Sequence, residues 1–167
     1  MSDDLLVKID HSTIKVNQGT IILISMLSFI IDAPWLILVA VLFMLAGTIF
    51  KFPGFGFIYL HFLKPRGLVA ADIQLDNPEP HRFAQGLGAA FLTFASFTLL
   101  VWPNFLVMNV LGWGLVWLVI ALAALNLFAG FCVGCMIYYW FNRLHLPGFD
   151  KSPPKGNLPG LRPKSRV

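Results

Sequence analysis

Residues 83–142 read FAQGLGAAFLTFASFTLLVWPNFLVMNVLGWGLVWLVIALAALNLFAGFCVGCMIYYWFN, and this stretch contains no Asp, Glu, Lys or Arg. Charge is equally absent from Val16–Ile31 and from Ala33–Phe50. Each run is near or beyond the roughly 20 residues that cross a hydrocarbon core, and a water-soluble domain has no way to hide them. With 57% hydrophobic and only 12% charged residues in a chain of 167, the composition points to an integral membrane protein. Backbone groups in lipid must be satisfied within their own segment, so the runs are read as helices. Ahead of the first run stand Asp3, Asp4, Lys8, Asp10 and Lys15, without the basic start and small-residue cleavage site of a signal peptide.

Proline and glycine divide the runs into four spans, at about 14–31, 35–50, 80–101 and 110–141. Asp32-Ala33-Pro34 turns the chain between the first two, Lys51-Phe52-Pro53-Gly54 ends the second, and Trp102-Pro103-Asn104 closes the third. The expected fold is an all-α membrane protein whose four transmembrane helices form two tandem hairpins. Residues 1–13 form a cytoplasmic N-terminal segment and residues 14–146 the transmembrane domain. Within the latter, the aromatic segment 52–66 is read as interfacial. Residues 147–167 form a Pro-rich basic tail, read as flexible and drawn to anionic lipid.

Given these spans, all 12 Lys and Arg residues fall on one side and the hairpin tips carry none. By the positive-inside rule both termini are cytoplasmic. The net charge of +4 is therefore a sign of topology and of contact with the lipid bilayer, not of nucleic-acid binding. The chain also repeats itself. Ile9-Asp10 followed by Lys15-Val16-Asn17-Gln18-Gly19 recurs as Leu75-Asp76 followed by Arg82-Phe83-Ala84-Gln85-Gly86, and each copy leads into a hairpin. Two spans per copy insert the same way up, which places the symmetry axis along the membrane normal.

The acid and Asn-Gln-Gly before one hairpin, Asp76 and Arg82-Phe83-Ala84-Gln85-Gly86 before the next, and Gly130-Phe131-Cys132-Val133-Gly134-Cys135 with Tyr138 at the end resemble the bacterial membrane family called domain of unknown function 4395. The resemblance runs from about Asp10 to Phe141. It implies the bacterial cytoplasmic (inner) membrane as the setting. Members of that family occur beside thioredoxin-like and sulfurtransferase proteins, which implies thiol or sulfur chemistry without naming a reaction or a cofactor.

Cys132 and Cys135 are the only cysteines, and two readings of them stand side by side. In the first they are a redox pair. Positions i and i+3 share a helix face and approach disulfide distance, and thiols facing the cytosol suit a transient bond over a permanent one. Late in a continuous helix, however, the negative end of the dipole and an apolar shell oppose a reactive thiolate. A break at Gly130 would reverse this by making Cys132 the opening residue of a new segment and the attacking thiol, and Arg143 or His145 folded back would add a cation. In the second reading Gly86, Gly130 and Gly134 are packing glycines and the cysteines are small residues that let helices approach. The first reading makes the chain a thiol-disulfide or sulfur-handling partner of a thioredoxin-like or sulfurtransferase protein. The second makes it a non-enzymatic accessory subunit of a larger membrane complex.

Asn17, Gln18, Gln85 and Asn126 are the polar residues within or beside the spans, read as interhelical hydrogen-bond glue or as the lining of a small-ligand path. No intramembrane charge supports an ion pathway. Zinc would need both cysteines and two of His61, His81 and His145, which lack paired ligand spacing, so no metal site is assigned. Met136, not histidine, follows Cys135, which disfavours covalent haem attachment.

Overall fold

The structure is a computed structural model that describes residues 6–154 and 156–163. The basic tail residues Lys155, Lys164 and Arg166, and the acids Asp3 and Asp4, lie outside them. Asp10 ends a short strand, β1 (Val7–Asp10), and caps the first helix, α1 (His11–Ile30), where its Oδ1 accepts the Ser12 N–H at 3.1 Å. The chain reverses at Ile31–Pro34: Asp32 takes a left-handed φ of 49°, and the Ser28 hydroxyl donates to the Ala33 carbonyl at 2.8 Å. Helix α2 (Trp35–Phe50) stops at Lys51, also left-handed, just before the Pro53-Gly54 pair. The aromatic segment that follows forms a short helix, α3 (Gly56–Ile58), and a π-helical turn over Tyr59–Leu63.

A second strand, β2 (Ile73–Asp76), then pairs antiparallel with β1, Val7 opposite Asp76 and Asp10 opposite Ile73. This ribbon corrects the all-α reading. Its strands contain the Ile9-Asp10 and Leu75-Asp76 pairs, and each leads at once into a helix. Helix α4 (Pro78–Val101) opens with Pro78 and Pro80, whose fixed φ suits a first turn, and with Glu79 against the positive end of the dipole. Helix α5 (Leu106–Ala124) continues as a π-helical turn, Leu125–Ala129. The span read over 110–141 is not one helix. It breaks at Gly130, whose φ of 67° ends the π turn, and the chain resumes as α6 (Val133–Arg143).

Three segments are long and apolar enough to cross a membrane: His11–Ile30, Pro78–Val101 and Leu106–Ala129. Helix α2 is apolar too but shorter, at 16 residues. Their shared core holds Ile21, Ile37, Met44, Leu92, Leu99 and Val116, with Ala40, Ala89 and Ala95 where the helices come close. Outward stand Leu23, Leu42, Ile49, Leu106 and Phe128, large apolar side chains that suit contact with lipid. At the far end Phe29 of α1 packs edge-on against Trp113 and Trp117 of α5, centroids 5.1 and 5.4 Å away.

Helix α6 lies against the first turns of α4, and Gly134 sets the approach. A Cβ built there falls 2.5 Å from the Ala84 Cβ and 2.7 Å from its Cα. Gly134→Ala is therefore expected to lower stability by about 1–3 kcal/mol, the usual cost of overpacking. Thermal unfolding in detergent should show the loss, and Ala84→Gly should restore part of it.

Candidate dithiol site

The break at Gly130 puts Cys132 at the N-cap of α6 in extended conformation (φ −100°, ψ 104°). A residue placed there faces the free N–H groups of the first turn, and the Cys132 Sγ accepts one of them, Cys135 N–H, at 3.2 Å. Cys132 and Cys135 are joined as a disulfide with Cα atoms 5.2 Å apart. When the pair is reduced, the same helix terminus favours the thiolate at Cys132. The opposing dipole of an unbroken helix does not arise.

Cys135 meets a different neighbour. Its Sγ lies 3.5 Å from His81 Nδ1, one turn into α4. His81 Nε2 lies 2.9 Å from Asp76 Oδ2, and His11 Nε2 lies 3.3 Å from the same oxygen. The Asp76 Oδ1 accepts the Asn77 N–H at 2.8 Å. Burial pushes the Asp76 carboxyl up, but His11, His81 and the Asn77 N–H together pull it further down, well below the usual carboxylate range. An ionised carboxylate only accepts, so Nε2 of His81 carries a hydrogen toward Asp76, and Nδ1 is the ring atom that faces Cys135. The order Cys135, His81, Asp76 is that of a thiol, its base, and the group that orients the base.

The tail closes the other side. Cys132 N–H donates to the Gly160 carbonyl at 2.8 Å and Arg162 N–H to the Gly130 carbonyl at 2.9 Å, a bridge centred on Phe131 and Leu161. Gly160 (φ 87°) is needed there, since a Cβ would fall 2.9 Å from the Cys132 carbonyl. The Arg162 guanidinium donates to the Asn126 carbonyl at 3.1 Å, and its burial lowers its affinity for the proton, an effect Asp72 and Asp76 work against. Asn77 and Asn142 hold Ser152 and Phe149 by their carbonyls, and Phe149 packs on Phe83, Tyr138 and Phe141. The flexible tail read from the sequence is thus corrected: through Pro163 it folds back over the cysteine loop.

A cavity of about 340 Å³ reaches Cys132 from the ribbon end, lined also by Asn17, Gln18, Gln85 and Asn126. Two of these amides have defined partners: Asn17 Oδ1 accepts the Phe55 N–H at 2.8 Å, and Gln85 Nε2 donates to the Met44 carbonyl at 2.7 Å. Gly86 lies against Thr48 of α2. Arg143 and His145 are exposed, and the cation near the loop is Arg162. His61 is exposed as well, bonded to the Phe57 carbonyl, so the four zinc donors drawn from His61, His81 and His145 do not assemble. His81, Cys132 and Cys135 do place three donor atoms within 4.8 Å of one another, and so do His11, Asp76 and His81.

Sequence reasoning passed over His11, 1% exposed, and the part played by Asp76. The signal was present: Asp10-His11 and Asp76 with His81 each set an acid and a histidine just ahead of an apolar run.

Residues 9–143 match the family described as Domain of unknown function (DUF4395). The chain belongs to that family. No curated protein and no solved structure matches this DUF4395 protein.

Asp76 makes stability depend on pH in a definite sense. A carboxyl held low when folded stabilises the fold above its unfolded value near pH ~4, and that contribution fades as pH falls toward the folded value. Asp76→Asn is expected to cost about 3 kcal/mol at pH 7, because the buried negative charge that His81 and His11 approach at 2.9 and 3.3 Å is lost. The gap between variant and parent should narrow when unfolding is followed at pH 3.

Proposed function

We propose that this DUF4395 protein performs thiol–disulfide exchange in the cytoplasmic membrane of a bacterium, with Cys132 as the exchanging sulfur and Cys135 as the resolving one. The observation that carries the reading is the division of labour between the two sulfurs. Cys132 caps a helix and lines the cavity, whereas Cys135 sits against His81, which Asp76 orients.

The reduced Cys132 thiolate attacks a disulfide R–S–S–R, forming Cys132–S–S–R and releasing the first R–S⁻. His81 Nδ1 takes the proton of Cys135. The Cys135 thiolate then attacks the Cys132 sulfur and expels the second R–S⁻. Two protons from the dithiol end on two R–SH molecules, and the pair is left as the disulfide. Two R–SH run the sequence backward. The charge distribution supports a cytoplasmic site, where glutathione-type thiols keep such a bond transient.

Exposures of 6% for Cys132 and 3% for Cys135 favour a small sulfur compound entering by the cavity over direct docking of a folded thioredoxin-like protein. The accessory-subunit reading draws less support from the glycines it named, because Gly134 and Gly86 lie against Ala84 and Thr48 of the same chain.

The test is intact mass spectrometry of reduced protein mixed with hydroxyethyl disulfide. Cys135→Ser is expected to retain one mercaptoethanol adduct at residue 132, and the parent chain to pass through that adduct to the internal disulfide. His81→Ala should slow the second step about 10²-fold, the usual worth of a positioned base. A folded Cys135→Ser protein that takes up no adduct would overturn the reading.

A further inference from the structure

We infer that the cavity leading to Cys132 is an anion site that selects small thiols or disulfides bearing a negatively charged group, with Arg82 as its principal contact. This rests on the exchange reading above and names its substrate class.

Three cations line the cavity, Lys8, Lys51 and Arg82, against one carboxylate, Asp10. Asp10 does not neutralise them, because it is already engaged. Its Oδ1 accepts the N–H groups of Ser12 and Asp72, both at 3.1 Å, and its Oδ2 accepts the Tyr59 hydroxyl at 2.9 Å and lies 3.9 Å from Lys64 Nζ. The Tyr59 hydroxyl is held above its ordinary value, by burial first and then by Asp10, so it remains a donor at neutral pH.

Arg82 is differently placed. One terminal nitrogen reaches the Thr48 carbonyl at 3.3 Å, and its Nε is buried without a partner. Among the described residues, no ion pair involves Arg82. The Nε is closed to solvent, so a ligand would meet the terminal nitrogens, and a guanidinium on a cavity wall with no carboxylate partner is suited to a carboxylate, sulfonate or phosphate. The same space ends at Cys132. A ligand with its charge at Arg82 and its sulfur toward Cys132 fills both ends, and a cavity of about 340 Å³ limits it to a small molecule.

The experiment uses Cys135→Ser, so that Cys132 is the single thiol, in nonionic detergent. Three methanethiosulfonates of one chemistry are compared: the neutral methyl reagent, the anionic sulfonatoethyl reagent and the cationic trimethylammonium-ethyl reagent. In each case Cys132 takes the R–S group and methanesulfinate leaves. Rates are divided by those of a free small thiol under the same conditions.

The expected result is a sulfonate-to-trimethylammonium ratio about tenfold or more above the free thiol, retained in Arg82→Lys and reduced about tenfold in Arg82→Gln, the size of one charge-assisted contact. A ratio equal to that of the free thiol, or an Arg82→Gln ratio equal to the parent's, overturns the inference while leaving exchange intact. No reaction with the neutral reagent would instead sink the exchange reading itself. Slowing of the sulfonate reagent by short-chain phosphatidylglycerol but not by inorganic sulfate would assign the cavity to a lipid headgroup and overturn the inference.

Discussion

Were the backbone to pass Gly130 as unbroken helix, the amide groups around both cysteines would be spent on the preceding turn and the sulfurs would sit on a continuous cylinder. The left-handed turn at Gly130 prevents this, and the rest of the site follows from it. It frees the first N–H groups of α6 for Cys132, swings α6 against α4 so that Cys135 meets His81, and leaves Phe131 extended. Extended backbone needs partners for its own N–H and C=O groups. The tail supplies them on either side of Phe131, the Gly160 carbonyl accepting Cys132 N–H and the Arg162 N–H donating to the Gly130 carbonyl. The strap on the loop is thus a requirement of the break that creates the site.

Asp76 is the second fixed point. As the last residue of β2 it is tied to β1, and therefore to the start of α1, while its carboxylate gathers His11 of α1 and His81 of α4. Two helices that run apart in sequence are pinned at one end by four residues of ribbon and one buried anion. Lys15 with Asp72, at 2.8 Å, adds a half-exposed tie whose hydrogen bond holds the Asp72 carboxyl low against the opposing effect of burial. Such a surface pair contributes little alone, about 0–1 kcal/mol. The placement of His81 against Cys135 depends chiefly on Asp76.

The apolar runs and their Pro and Gly punctuation were legible from the sequence because lipid leaves the backbone so little choice, and helices at His11–Ile30, Trp35–Phe50 and Pro78–Val101 start and stop within a few residues of the turn signals. The ribbon was not legible. Val7–Asp10 is four residues long and pairs across more than sixty residues of chain, so nothing local marks it as a strand. The tail was misjudged for a related reason. Its Pro and Gly content excludes a side-chain core, yet its grip on Gly130 and Cys132 is made by backbone groups, to which composition is blind. Of the site, the cysteines and the consequence of a break at Gly130 were readable. The pairing of Cys135 with His81 was not, because it depends on how α6 packs on α4 through Gly134 and Ala84.

Burial and reactivity pull in opposite directions at this site, and the geometry reconciles them. A disulfide shielded by α4, α6 and the tail is closed to large reductants, while the cavity of about 340 Å³ gives Cys132 an approach of limited size. Of the two sulfurs, that of Cys132 alone belongs to a residue bordering that approach. Cys135 lies behind it, beside a space of about 20 Å³ shared with Asp76 and Arg162 and too small for anything beyond a water molecule, while His81 borders both spaces. A mixed disulfide at Cys132 therefore meets Cys135 before it meets a second external thiol. Proximity alone then makes internal resolution the faster route. The site's enclosure and the two steps of the proposed exchange are consequences of the same break in one helix.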